Sequence, residues 1–181
     1  MNNTLSIVLA IIVCVILAMF AFPIASFITG TSRMTAQELI GKLSKPGASP
    51  LELFRYRALM LNSGALKRPD PNLLPPLHFL IRNCFSQNPK NQICIELLMF
   101  VVKAGYDLNG FSDDGQSLTP LHEAVLICDD NLAFMLIGYG ADRKKVAGPG
   151  PFSGQTPLEF LLKQSPSCPK NSMLETHLRL P

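Results

Sequence analysis

The chain has 181 residues, with 16 basic and 13 acidic side chains and a formal net charge of +3. At 48 % hydrophobic it is too apolar for a disordered chain, and so small a net charge does not signal nucleic-acid binding. No charged side chain occurs before Arg33, so an oily N-terminus precedes an ordinary polar remainder with room for one small domain.

Residues 1–4 read as a short tail. From Leu5 to Ile28 only Ser6, Pro23 and Ser26 are not apolar. As a helix this run is about 36 Å long, against a hydrocarbon core of about 30 Å. The expectation is a single transmembrane helix over 5–29, acting as a signal anchor. A cleaved signal peptide would need a basic start, which Met1-Asn2-Asn3-Thr4 lacks, and a shorter apolar stretch. Arg33, Lys42 and Lys45 follow the run, and positive-inside counting then places the following domain in the cytoplasm. Three charges decide this, and the exported or periplasmic side stays open. Residues 30–48 are the juxtamembrane linker.

Within this linker Thr35-Ala36-Gln37-Glu38, and just after it Ser49-Pro50-Leu51-Glu52, have the pattern of capping boxes, predicting helices over 35–44 and 50–63. Asp70-Pro71 and Pro75-Pro76 break the chain. A motif then recurs. Pro75-Pro76-Leu77-His78 precedes Gly105-Tyr106-Asp107-Leu108-Asn109, Thr119-Pro120-Leu121-His122-Glu123-Ala124 precedes Gly140-Ala141-Asp142, and Gly154-Gln155-Thr156-Pro157-Leu158-Glu159 opens a third copy. Thr119 suits an N-cap, and Pro120 in the first turn forfeits no needed hydrogen bond. Leu121 and Ala124 recur at helical spacing, and Gly140 suits the left-handed end of a second helix.

These residues resemble the ankyrin repeat family, whose unit of 33 residues pairs two short helices. The motif positions are Pro76, Leu77, His78, Gly105, Thr119, Pro120, Leu121, His122, Ala124, Gly140, Ala141, Asp142, Thr156, Pro157 and Leu158. The intervals of 44 and 37 residues between copies exceed 33, with the excess around Ser86–Asn91, Asp113–Ser117 and Gly148–Pro151, where loops absorb it at little cost. The resemblance implies an all-α, short ankyrin-repeat solenoid of helix-turn-helix units, preceded by a single transmembrane helix. It would cover 43–165, as a cap at 43–74, repeats at 75–109 and 119–145, and a partial repeat at 156–165. A tail over 166–181 would contain a short closing helix near Met173–Leu180.

The resemblance also implies that His78 and His122 are structural, bonded within their turns and to adjacent backbone. A nucleophile–base pair of Cys128 and His122 fails on geometry, because six residues rotate about 240° around a helix. Phosphate-binding, Cys-x-x-Cys and Gly-x-Ser-x-Gly patterns are missing, so the reading is non-enzymatic, without cofactor or metal. If the domain were exported, Cys84 and Cys94, at facing helix ends beside the insert, would be the pair to bridge; in a reducing compartment both would be small buried residues.

Carried over by position, the partner-binding strip comprises Phe79, Arg82, Glu123, Leu126, Phe160 and Lys163. Asp113, Asp114, Arg143 and Phe152 lie on the connecting fingers. The expected function is a membrane-tethered scaffold that binds a protein partner near the bilayer. Two alternatives are an immunity-type antagonist of a toxic effector at a bacterial membrane, and a small membrane-associated redox protein using the cysteines.

Overall fold

The structure is a computed structural model that describes residues 34–45, 64–86, 92–164, 168 and 173–179. Among these residues it is helical and without strands. Helix α1 (Ala36–Leu43) begins at a capping box, in which Thr35 Oγ1 accepts the Glu38 amide at 3.2 Å and Glu38 Oε2 accepts the Thr35 amide at 3.0 Å. It buries Ala36, Leu39, Ile40 and Leu43. Its Gln37 is buried as well, because its carboxamide ties down the strap after a 3₁₀ turn (Ala65–Lys67). Oε1 accepts the Asp70 amide at 2.9 Å and Nε2 donates to Leu74 O at 3.0 Å. The helix expected over 50–63, with its Ser49 cap, lies outside the described residues.

Helix α2 (Pro76–Leu80) runs on into a π turn (Ile81–Phe85), where the Ser86 amide donates to Ile81 O at 3.1 Å. Its antiparallel partner is α3 (Gln92–Lys103). The second pair is α4 (Pro120–Leu126) and α5 (Asp130–Gly138). Helix α6 (Pro157–Gln164) opens a third unit, closed by the short α7 (Leu174–Arg179). Helices α1, α2, α4 and α6 pack in a row, α3 against α2 and α5 against α4, while α7 packs on both α5 and α6.

Local chemistry explains these boundaries. Thr119 Oγ1 caps α4 by accepting the His122 amide. Thr156 and Glu159 cap α6 reciprocally, at 2.7 and 3.2 Å. Glu159 stands where the two earlier copies have histidine, and this cap is what it does there. Gly105 (φ +88°) and Gly140 (φ +105°) end the second helices in the left-handed region, as a residue without Cβ does readily. The turns that follow are copies of one another: Asp107 Oδ1 accepts the Asn109 amide and Asp142 Oδ1 the Lys144 amide, both at 2.8 Å. The two turns are also joined, the Asp142 amide donating to Asn109 Oδ1 at 2.8 Å.

The connecting segments 110–118 and 145–156 lean on each other. The Gly148 amide donates to Ser117 O at 2.8 Å, and the Lys145 ammonium sits 5.3 Å from the Phe111 ring centre. Two disulfides complete the fold. Cys84–Cys94 fastens the π turn to the start of α3, and Cys128–Cys168 fastens the C-terminal segment to the end of α4. Only the first pair was expected from the sequence.

One part of the expected architecture is corrected. Among the described residues no helix is long and apolar enough to cross a membrane. The longest, α3, has 12 residues and so about 18 Å of length, against the roughly 30 Å required. The single-pass membrane assignment, with its signal anchor and juxtamembrane linker, therefore has no support in the described fold. The segment it relied on, residues 5–29, lies outside the described residues.

A Cβ built on Gly150 would sit 2.8 Å from Gly115 O, a backbone atom that cannot swing aside. Gly150→Ala is expected to lower unfolding stability by about 1–3 kcal/mol in a denaturant titration, by forcing the two connecting segments apart.

Candidate functional site

Where α2 meets α4 the row of first helices encloses a charged cluster. Glu123 on α4 is 1 % exposed, and its carboxylate is held from two sides. Arg82, in the π turn, approaches Oε1 with Nε at 2.8 Å and Nη2 at 2.5 Å. His78 Nδ1 lies 3.0 Å from Oε2. His78 Nε2 faces Gly110 O at 3.3 Å.

The other end of the Arg82 guanidinium reaches Asp114, with Nη1 2.6 Å from Oδ2. Asp114 Oδ1 accepts from Ser112 Oγ at 2.7 Å and from the Gln116 amide at 3.1 Å, and Ser112 Oγ in turn accepts the Leu118 amide. One chain of contacts thus runs from α2, through α4, to the connecting finger. Burial alone would raise the Asp114 carboxyl, but hydrogen bonds from Ser112, Arg82 and the Gln116 amide outweigh it and hold the group at about 2. For Arg82, burial opposes the charge, and the two carboxylates more than compensate, raising the guanidinium above its ordinary value.

His122, one unit along, has different company. Its Nδ1 lies 2.7 Å from Thr119 Oγ1 and its Nε2 2.9 Å from Gln155 O. A carbonyl only accepts, so Nε2 carries the proton and Nδ1 accepts from the hydroxyl. Burial pushes this imidazole below its usual range, and the ring stays neutral. Phe160 packs edge-on against it at 5.7 Å, and Phe152 edge-on against Phe160 at 5.0 Å.

The structure divides the strip expected from the sequence. Position by position along α2, α4 and α6, Phe79 corresponds to Glu123 and Phe160, and Arg82 to Leu126 and Lys163. The first of these rows points inward. Phe79 is half-buried, Glu123 is 1 % exposed and Phe160 is fully buried. Phe160 and Glu123 are accordingly removed from the contact surface, because the Phe152 finger covers one and the Arg82 guanidinium the other. The second row faces outward: Arg82 is 30 % exposed, Leu126 is 46 % exposed and Lys163 is exposed. Asp113 is exposed on its finger, while Asp114 is committed to Arg82 and Phe152 to Phe160.

Arg143 lines a groove of about 670 Å³ with Ile137, Lys144, Leu158, Leu178 and Arg179, away from the row. Leu162 is a surface residue that the sequence reading missed. It is 52 % exposed, although Ile81 and Val125 at the equivalent positions are 0 % and 1 % exposed. Its position on the last of the packed row of helices was the available signal, since a helix at the end of a row lacks the neighbour that covers inner ones.

The cysteine nucleophile weighed beside His122 is excluded by bonding, since Cys128 is committed to Cys168. Among the described residues no group of three His, Cys, Asp or Glu is placed to hold a metal ion.

Glu123→Ala would leave a guanidinium and an imidazole facing a buried gap. The expected loss is about 3–5 kcal/mol of unfolding free energy by denaturant titration. Asp114 predicts an acid dependence with a definite sign. Its folded value is depressed, so its contribution is complete above its ordinary value of 3.8 and is lost as pH falls towards about 2. Urea titrations over that window should show a fall in stability that is smaller in Asp114→Asn. No protein-family model, curated protein or solved structure matches the chain.

Proposed function

We propose that the chain is a short ankyrin-type solenoid that binds a protein partner by shape and charge, without performing chemistry. The observation that carries this reading is the outward row Arg82, Leu126 and Lys163, one residue from each first helix, with Leu162 beside it. With the Arg82 charge already met by Glu123 and Asp114, the apolar pair beside the Lys163 ammonium suits a partner segment that sets an acidic residue next to apolar ones. Beneath the row, the Glu123–Arg82 ion pair fixes α2 against α4, so the surface is preformed and little ordering entropy opposes binding.

The residue types that usually carry catalysis are engaged elsewhere. His78 and His122 bridge to backbone carbonyls, and Cys84, Cys94, Cys128 and Cys168 form disulfides. Two disulfides in one small domain also favour an oxidising compartment, where such bonds persist. The Cys84–Cys94 and Cys128–Cys168 bonds thus speak for the exported alternative over the cytoplasmic placement suggested by charge counting.

A photo-crosslinking residue placed at position 126 should yield a single partner adduct in the native host, whereas the same residue at Leu73, 42 % exposed outside the row, should not. Leu126→Asp combined with Lys163→Glu should weaken binding of that partner by roughly 10²-fold, as loss of one central anchor and one rim charge does. Equal crosslinking at 73 and 126, or undiminished binding by the folded double variant, rules the row out.

A further inference from the structure

We propose that Cys128–Cys168 is a reducible clasp, and that thiol–disulfide exchange at this bond releases helix α7 from the end of the stack. Helix α7 has six residues, too few to persist on its own. Its docking is specific: Leu174 is fully buried, Leu178 is 5 % exposed, the Met173 amide donates to Asp130 Oδ2 at 2.8 Å, and the His177 ring lies 5.1 Å from that of Phe134. Besides the polypeptide chain from α6, a covalent link for this segment runs through Cys168 to the turn between α4 and α5.

The two disulfides differ in access. Cys84 and Cys94 are 2 % and 0 % exposed, inside the α2–α3 pair. Cys128 and Cys168 are only half-buried, at the surface. Exchange requires a thiolate to reach a sulfur atom, so the exposed bond reacts first. Cys128 sits at φ +55°, in the left-handed region that favours glycine, in a turn fixed by its own amide donating to Val125 O and the Asp129 amide donating to Ala124 O. Ser117 shares this conformation at φ +51°, and what sets Cys128 apart is that its sulfur is bonded to Cys168.

The reductant is a dithiol, either a small molecule or a protein. Its thiolate attacks one sulfur of the bridge, forming a mixed disulfide, and the other cysteine departs as a thiolate and takes up a proton. The second thiol of the reductant then attacks the mixed disulfide, freeing the remaining cysteine. Two electrons pass from the dithiol, which ends as a disulfide, to the bridge, which ends as two thiols. With the bond open, α7 detaches and uncovers the apolar sides of α5 and α6 against which it packed.

The test uses the full chain, titrated with dithiothreitol under native conditions and then alkylated and peptide-mapped. Cys128 and Cys168 should become alkylated at a dithiothreitol concentration at least about tenfold below that which opens Cys84–Cys94. At the intermediate concentration, hydrogen exchange should rise in Leu174–Arg179 and remain slow in α1 to α4. Simultaneous opening of both bonds, prior opening of Cys84–Cys94, exchange rising throughout the chain, or α7 staying protected after its bridge opens would each overturn the proposal. The double variant Cys128→Gly with Cys168→Ser gives an independent arm, because glycine suits the backbone at position 128. Its α7 should exchange rapidly without any dithiol, and protection equal to that of the oxidised natural chain would overturn the proposal.

Discussion

The buried Glu123 carboxylate is the constraint around which the middle of the molecule is arranged. A carboxylate removed from water is costly unless opposite charge and hydrogen-bond donors surround it. Here Arg82 from the π turn hydrogen-bonds to it, and His78 Nδ1 from α2 lies 3.0 Å from its other oxygen. The arrangement of helices α2 and α4 keeps both contacts, and the finger carrying Asp114 meets the other end of the guanidinium. Apolar packing would hold such helices together but tolerates sliding. The ion network specifies one register, a recognised use of buried charge in helical assemblies.

Two structurally equivalent histidines show how the environment assigns different work to one residue type. His122 sits between a hydroxyl and a carbonyl, and its neutral tautomer satisfies both. His78 has lost the hydroxyl, because Pro75 stands where Thr119 does in the next copy, and a carboxylate from the adjacent helix occupies the place. The turn at 75–78 thus gives up a side-chain cap and gains a link between units. In the last unit the substitution runs the other way: Glu159 returns to its own Thr156 as a cap.

Much of the fold could be read from the chain because its signals are local. Thr35 with Glu38, Thr119 with Pro120, Gly105 and Gly140 each act within four or five residues, and each marks a helix end in the structure. What escaped was long-range. Arg82 and Glu123 are 41 residues apart, and nothing in either neighbourhood distinguishes a solvated charge from a buried one. The Cys128–Cys168 bond spans 40 residues and depends on how a short tail helix docks, for which apolar periodicity over six residues is no guide. Phe160 was assigned outward by its place in the motif, but the finger bearing Phe152 folds over it, a contact between segments that no periodicity encodes.

The hydrogen bonds joining successive units span nearly constant distances along the chain: 32 residues from His78 to Gly110, and 33 both from His122 to Gln155 and from Asn109 to Asp142. The helix starts, by contrast, are spaced unevenly by their inserts. Each of these bonds ties one helix pair to the segment that leads into or out of the next, so the joints between pairs recur although the spacing of the helix starts does not.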